Sequence, residues 1–98
     1  MRTPKEYTQP SFEEDVDVLE AEPYQLIVWN DDVNTFDWVI ETLITVCGHT
    51  QEQAEQCTLL IHFKGKCDVK RGSYEQLEPM RNGITDREIN ATIESLVG

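Results

Sequence analysis

The chain has 98 residues and sets 8 Lys and Arg against 19 Asp and Glu, a formal net charge of −11. That length holds one small domain, and 39% apolar residues supply one modest core. So acidic a chain is repelled by nucleic-acid phosphates and by anionic lipid, which argues against both as partners, and no run approaches the roughly 20 apolar residues that cross a bilayer.

Residues 1–22 carry Asp or Glu at positions 6, 13, 14, 15, 17, 20 and 22 against only Arg2 and Lys5, with no sustained apolar period. Such a segment buries too little surface to offset its ordering entropy. A disordered acidic extension is therefore expected over 1–22, ahead of one folded domain over 23–98. The opening Met1-Arg2-Thr3-Pro4-Lys5-Glu6 has no apolar h-region, so no secretory signal is expected. Cys47, Cys57 and Cys67 are odd in number and lack a disulfide-framework spacing. They read as reduced thiols of a cytoplasmic protein.

Order is expected from Tyr24. Tyr24-Gln25-Leu26-Ile27-Val28-Trp29 is short, β-branched and aromatic, and Pro23 and Asn30-Asp31-Asp32 bound it, the pattern of a strand followed by a polar turn. Phe36, Val39, Ile40, Leu43 and Cys47 then recur at the spacing of one helix face, with Asn34 or Thr35 to cap the start and Gly48 to end it. Thr50-Gln51-Glu52-Gln53 is a capping box, and it opens a second helix with Ala54, Cys57, Thr58 and Ile61 on one side. Lys64-Gly65-Lys66 closes that helix, and Cys67-Asp68-Val69-Lys70 reads as a weak strand. Ser73-Tyr74-Glu75-Gln76 is a second capping box, starting a third helix with Leu77, Met80 and Ile84 inward. Pro79 lies too deep for a first-turn proline, so a kink or an early stop is expected there. Ala91-Thr92-Ile93-Glu94-Ser95-Leu96 alternates as a closing strand. The order β-α-α-β-α-β predicts a small α/β (α+β) sandwich, a three-stranded antiparallel sheet packed against three helices.

The cysteines and histidines do not assemble a metal or catalytic pattern. Cys47-Gly48-His49 and Cys57 with His62 have the wrong spacing for zinc, Cys57 and His62 lying about 140° apart round a helix axis. A Cys–His nucleophile would also need a nucleophile turn or an oxyanion-type glycine loop, and neither is visible. No phosphate-cradling glycine loop is present. No metal, no cofactor and no enzymatic activity are expected. Asn30-Asp31-Asp32, between a strand and a helix, reads in two ways. It is an Asx-type turn leading into a capped helix, or a ligand site whose carboxylate and amide oxygens accept hydrogen bonds from a cationic group. His62, near the end of the second helix, is either a packed residue or an acceptor for an ammonium N–H.

The stretch Leu26-Ile27-Val28-Trp29-Asn30-Asp31-Asp32-Val33-Asn34-Thr35-Phe36, with Val39 after it, resembles the ClpS family, as does Gln53 to Lys66 with His62 before its Lys/Gly turn. The likeness covers roughly residues 23–97. ClpS proteins are adaptors of the Clp AAA+ protease that recognise N-degron substrates by a first residue such as Leu, Phe, Tyr or Trp. The resemblance implies that Asn30, Asp31 and His62 hold the substrate's free α-amino group and first peptide unit. Asp32 would shape the turn, and Asn34 would add a polar contact. It further implies an apolar side-chain pocket made by Val28, Trp29, Phe36, Val39, Thr58, Ile61 and Ile89. The extension 1–22 would engage the unfoldase. The implied partners are a Clp unfoldase of the ClpA or ClpC type with its ClpP peptidase, and N-degron substrates met by a monomeric adaptor. Phe36 and Thr58 fall where many bacterial members carry Met, and the Thr58 position acts in the family as a gatekeeper against β-branched first residues.

The physical chemistry agrees with the resemblance. An N-terminal ammonium is a cation with three donors, which Asp31 meets with charge and Asn30 and neutral His62 meet with acceptors. An internal amide leaves those acceptors unpaired, at a cost of about 1–3 kcal/mol each. The alternative reading is a generic partner-binding domain, of the kind of the ribosomal protein L7/L12 C-terminal domain, using helix surfaces without any need for a free amine. A thiol or metal protein using the three cysteines is a third reading.

Overall fold

The computed structural model describes residues 22–97; the acidic extension expected over 1–22 lies, save for Glu22, outside the described residues. Strand β1 (Tyr24–Trp29) leads to helix α1 (Phe36–Cys47), helix α2 (Gln51–Lys64), strand β2 (Lys66–Gly72), helix α3 (Tyr74–Thr85) and strand β3 (Ala91–Ser95). The strands form one sheet in the order β2-β1-β3, and β1 pairs antiparallel with both neighbours. This is the predicted β-α-α-β-α-β arrangement of three helices on a three-stranded antiparallel sheet.

Local chemistry sets the helix ends. Asn34 and Thr35 were both eligible to cap α1. Thr35 does so, its hydroxyl accepting from Trp38 N at 3.1 Å. Thr50 opens α2 with a complete capping box, in which Gln53 N donates to Thr50 Oγ1 at 3.1 Å and Thr50 N donates to Gln53 Oε1 at 3.0 Å. Ser73 and Gln76 repeat the device at α3. α2 ends at Gly65, whose φ of 93° is costly for any side chain and lets the chain reverse directly into β2.

Leu26 and Val28 of β1, Leu43 of α1, Ile61 of α2, and Leu77 and Ile84 of α3 form one buried cluster. Burying a Leu or Ile side chain of this kind stabilises by about 1.5–3 kcal/mol. Ile27 is buried too but does not join that cluster, since successive strand residues face opposite sides of the sheet.

Two expectations are corrected. Pro79 does not stop α3, which runs on to Thr85. Proline removes one N–H and so one helical bond; Pro79 is exposed, while Leu77 and Ile84 are buried on the sheet and hold the helix through it. The strand expected over Cys67 to Lys70 extends from Lys66 to Gly72, because β1 offers it a full edge. The β1–β2 register shifts where Leu26 faces Lys70 and Ile27 faces Asp68, which leaves Val69 as the extra residue of a bulge. The Val69 carbonyl accepts from His49 Nε2 at 2.8 Å.

Candidate functional site

The end of β1 is held from both sides. Trp29 N donates to the Asn90 carbonyl and Asn30 N to the Gly65 carbonyl, each at 2.9 Å. The first bond brings the approach to β3 against the strand end. The second brings up the α2–β2 turn, three residues after His62.

The polar turn follows at once, and it is the Asx turn that its composition allowed. Asp31 Oδ1 accepts from Val33 N at 2.9 Å and from Asn34 N at 3.0 Å. The Asn34 amide donates to Asp31 Oδ2 at 2.8 Å and to the Glu88 carbonyl at 2.9 Å. Desolvation pushes the Asp31 carboxyl up, but the hydrogen bonds from Asn34 and Val33 outweigh it and hold the group below the ordinary carboxylate value. Oδ1 is occupied by these bonds, whereas among the described residues Oδ2 receives only the Asn34 amide. The turn and a ligand role are therefore compatible in one carboxylate.

A cavity of about 260 Å³ opens beside this turn. Its floor is apolar and buried: Val28, Val39, Ile61 and Ile89, with Thr58 among them. Thr58 is 3% exposed, and its hydroxyl donates to the Ala54 carbonyl at 2.7 Å, one turn back on α2. The hydroxyl is thereby satisfied within the helix and adds no unpaired polar group to the floor. The rim carries Asn30, Asp31, Asp32, Asn34, Thr35 and His62 on one hand and Trp29 and Phe36 on the other. Every site residue expected from the sequence thus lines one cavity. Asn34 also has a part within the fold, its amide nitrogen donating to Asp31 and to the Glu88 carbonyl.

The rim rings are set by aromatic contact. Phe36 and Phe63 each meet His62 edge to face, with centroids 5.0 and 4.9 Å away. No hydrogen bond among the described residues engages the His62 ring nitrogens, which leaves them available at the rim. Trp29 is fixed through its indole N–H, which donates to Thr92 Oγ1 at 2.9 Å, and Lys66 Nζ stands 5.1 Å from its ring centroid.

Two contributors escaped the sequence reading. Thr35 lines the cavity as well as capping α1; its position beside Asn34 and Phe36 was the available signal. Glu88 has φ of 67° and supplies the carbonyl that holds Asn34. A left-handed glutamate has no sequence signature. Among the described residues no three His, Cys, Asp or Glu side chains are grouped to hold a metal, and no helix is long and apolar enough to cross a membrane.

This architecture has known counterparts. The family described as ATP-dependent Clp protease adaptor protein ClpS matches residues 19–94. Adapter proteins of that name are similar in sequence. The one from Corynebacterium efficiens is 32% identical over 72 residues, 71% of each chain. That from Nautilia profundicola is 37% identical over 68 residues, 69% of this chain and 70% of its own. That from Acetivibrio thermocellus is 43% identical over 63 residues, 64% of each. The structure of Agrobacterium tumefaciens ClpS2 bound to L-phenylalaninamide shares the fold, with a TM-score of 0.64 at 14% identity over 76% of this chain and 98% of that one. ClpS proteins are non-catalytic adaptors that recognise N-degrons and work with the Clp protease and its substrates. On the match over 19–94, the chain belongs to the ClpS family of Clp protease adaptors.

Proposed function

We propose that the cavity receives the first residue of an N-degron substrate, its α-ammonium at the Asn30, Asp31 and His62 rim and its side chain on the Val28, Val39, Thr58, Ile61 and Ile89 floor. The observation that carries this reading is the juxtaposition itself: a carboxylate with a free acceptor edge and unengaged imidazole nitrogens stand at the mouth of a buried apolar floor. A free N-terminus supplies the cation and the directed donors that such a rim can satisfy. An acetylated or internal amide supplies neither the charge nor enough donors. Bulky apolar side chains such as Leu, Phe, Tyr and Trp suit the floor, and the relative from Agrobacterium tumefaciens is described with a phenylalanine derivative bound.

The polar positions divide the work. Asp31 supplies charge, His62 and Asn30 supply direction, Asp32 belongs to the turn, and Asn34 holds Asp31 in place. The cavity is complete within one chain, which suits a monomeric adaptor. The acidic segment 1–22 is the part that would engage an unfoldase of the ClpA or ClpC type, and tethering substrate to that machine raises its effective concentration, so modest affinity suffices. Fluorescence anisotropy tests the reading, with labelled peptides beginning Leu, Phe, Ile or Met, each with a free or acetylated N-terminus. Binding of free Leu and Phe peptides only is the expected result. Binding that ignores acetylation would leave the generic partner-binding reading instead.

A further inference from the structure

The loop between α3 and β3 walls one side of the cavity, and residues 87–90 are fastened one by one. Ile89 lies in the floor, the Glu88 carbonyl accepts from Asn34, and the Asn90 carbonyl accepts from Trp29 N. Arg87 opens this run and does not line the cavity, yet it is the residue that α1 holds.

Trp38 and Thr42 stand one turn apart on α1 and so share a face. The Trp38 indole N–H donates to the Arg87 carbonyl at 3.1 Å, and the Arg87 guanidinium lies 5.1 Å from the Trp38 ring centroid. The tryptophan therefore holds Arg87 by its backbone and by its side chain. Arg87 Nη1 also donates to Thr42 Oγ1 at 3.4 Å. Thr42 is fully buried, and among the described residues this guanidinium is the partner of its hydroxyl. Thr58, also buried, bonds back into its own helix instead. A buried hydroxyl served from a loop fixes that loop at one depth against the helix.

The neighbours of this contact on both elements are cavity residues. Val39 follows Trp38 along α1, Ile89 stands two positions after Arg87, and both are buried in the floor. Arg87 N and Ile89 N donate to the same Ile84 carbonyl, at 3.0 and 3.3 Å, so the two residues are tied to one point at the end of α3. The spacing of helix and loop is therefore a dimension of the cavity. We propose that Arg87 is a positioning residue for specificity: held by Trp38 and Thr42, it sets how close Ile89 stands to Val39, and so how large a first side chain the floor accepts. This rests on the reading of the cavity as the seat of that first residue. With the contact intact, a side chain of Leu size meets Ile89 and Val39 together. Without it the wall yields, Leu loses part of that contact, and the larger indole of Trp gains room.

The test pairs amide hydrogen exchange with peptide anisotropy on the full chain and on Arg87→Ala, Arg87→Lys and Trp38→Phe. Exchange reads the wall without any peptide. The Trp29 amide bonds to the loop, whereas the Asn30 amide bonds to the Gly65 carbonyl on the other side, so the pair carries its own control. In Arg87→Ala the Trp29 amide should exchange several-fold faster and the Asn30 amide at an unchanged rate. The ratio of Trp-initiated to Leu-initiated peptide affinity should rise several-fold in the same variant. Arg87→Lys keeps a cation at the ring without the planar fork, and should restore part of both effects. Trp38→Phe keeps a ring without the indole N–H, and should shift both in the direction of Arg87→Ala. Equal acceleration at Trp29 and Asn30 would mean a general loss of stability and would overturn the proposal. A loosened wall with an unchanged Trp to Leu ratio would overturn it too, leaving Arg87 a role in folding alone. If no peptide bound even the unaltered chain, the reading of the cavity would fail and the specificity role with it, while the exchange rates would still report the contact.

Discussion

Asn34 and Glu88 lie 54 positions apart, and the side-chain amide of the first donates to the backbone carbonyl of the second at 2.9 Å. The same nitrogen donates to Asp31 at 2.8 Å. One residue thus ties the turn after β1 to the loop that delivers Ile89 to the cavity floor. Asn34→Ala leaves both acceptors without this partner and should destabilise by about 1–2 kcal/mol. It should also weaken peptide binding, because Asp31 and Ile89 both lose support. Urea unfolding with anisotropy on the same samples checks this, and unchanged binding would confine Asn34 to the fold.

Glu88 occupies the left-handed region, with φ of 67°, just beyond α3. That conformation costs a side chain about 1–2 kcal/mol. Glycine removes the cost but adds unfolded-state freedom worth about 0.5–1 kcal/mol. Glu88→Gly should therefore be more stable by about 0.5 kcal/mol, with its carbonyl still available to Asn34. Glu88→Val should be less stable, since a β-branched residue resists this backbone most. Thermal melts of the pair would show the opposite shifts, and equal shifts would remove backbone strain as the cause.

Local features of the fold were legible because their causes are local. The capping boxes at Thr50 and Ser73, the glycine stops and the Asx turn each depend on residues within about four positions of one another. Site residues on β1, α1 and α2 were legible partly through family likeness and partly because Asn30-Asp31-Asp32 is itself a short chemical pattern. What resisted was long-range. The continuation of α3 through Pro79 depends on how Leu77 and Ile84 are buried, and the length of β2 depends on the edge that β1 presents. The Asn34–Glu88 bond leaves no trace in spacing along the chain. Thr58 could be named as a floor residue, but the fate of its hydroxyl needed the helix.

Asp31 should titrate below the model-peptide value of 3.8, because its hydrogen bonds to Val33 and Asn34 favour the charged form. A group lowered in the folded state contributes stability that is present above 3.8 and is lost as pH falls through the folded value. Carboxyl NMR titration should give a midpoint below 3.8, and Asp31→Asn should lose less stability than the unaltered chain over that acidic window. A midpoint at or above 3.8 would show that the turn does not hold the carboxylate as described.

It follows that Asp31 keeps its charge at neutral pH and meets the ammonium as an anion, while the directed acceptors must come from its neighbours. His62 brings ring nitrogens that no described residue engages to the same rim. His62→Ala should weaken binding of a Leu-initiated peptide by about tenfold, the worth of one hydrogen bond to a charged group, while the fold persists. Anisotropy with unfolding curves on the same samples checks this, and unchanged affinity would mean that His62 is no acceptor.

Thr58 is the floor residue whose hydroxyl is turned back into its own helix. It is buried at 3% exposure, and its 2.7 Å bond to the Ala54 carbonyl leaves a small, stiff side chain in the floor. Thr58→Val removes the hydroxyl at constant shape, so peptide preference should be unchanged. Thr58→Met inserts a longer, flexible chain into the space a first residue would occupy. A methylene-sized change in an apolar pocket is worth about 1–3 kcal/mol. The ratio of Leu to Ile affinity should therefore rise by about tenfold in Thr58→Met, at the lower end of that range. The rise would come from loss of the β-branched ligand, which cannot turn its Cβ substituent away from the inserted chain. Anisotropy with matched Leu and Ile peptides on the three proteins decides the matter. If Val and Met variants shift the ratio equally, side-chain volume at this position does not control entry.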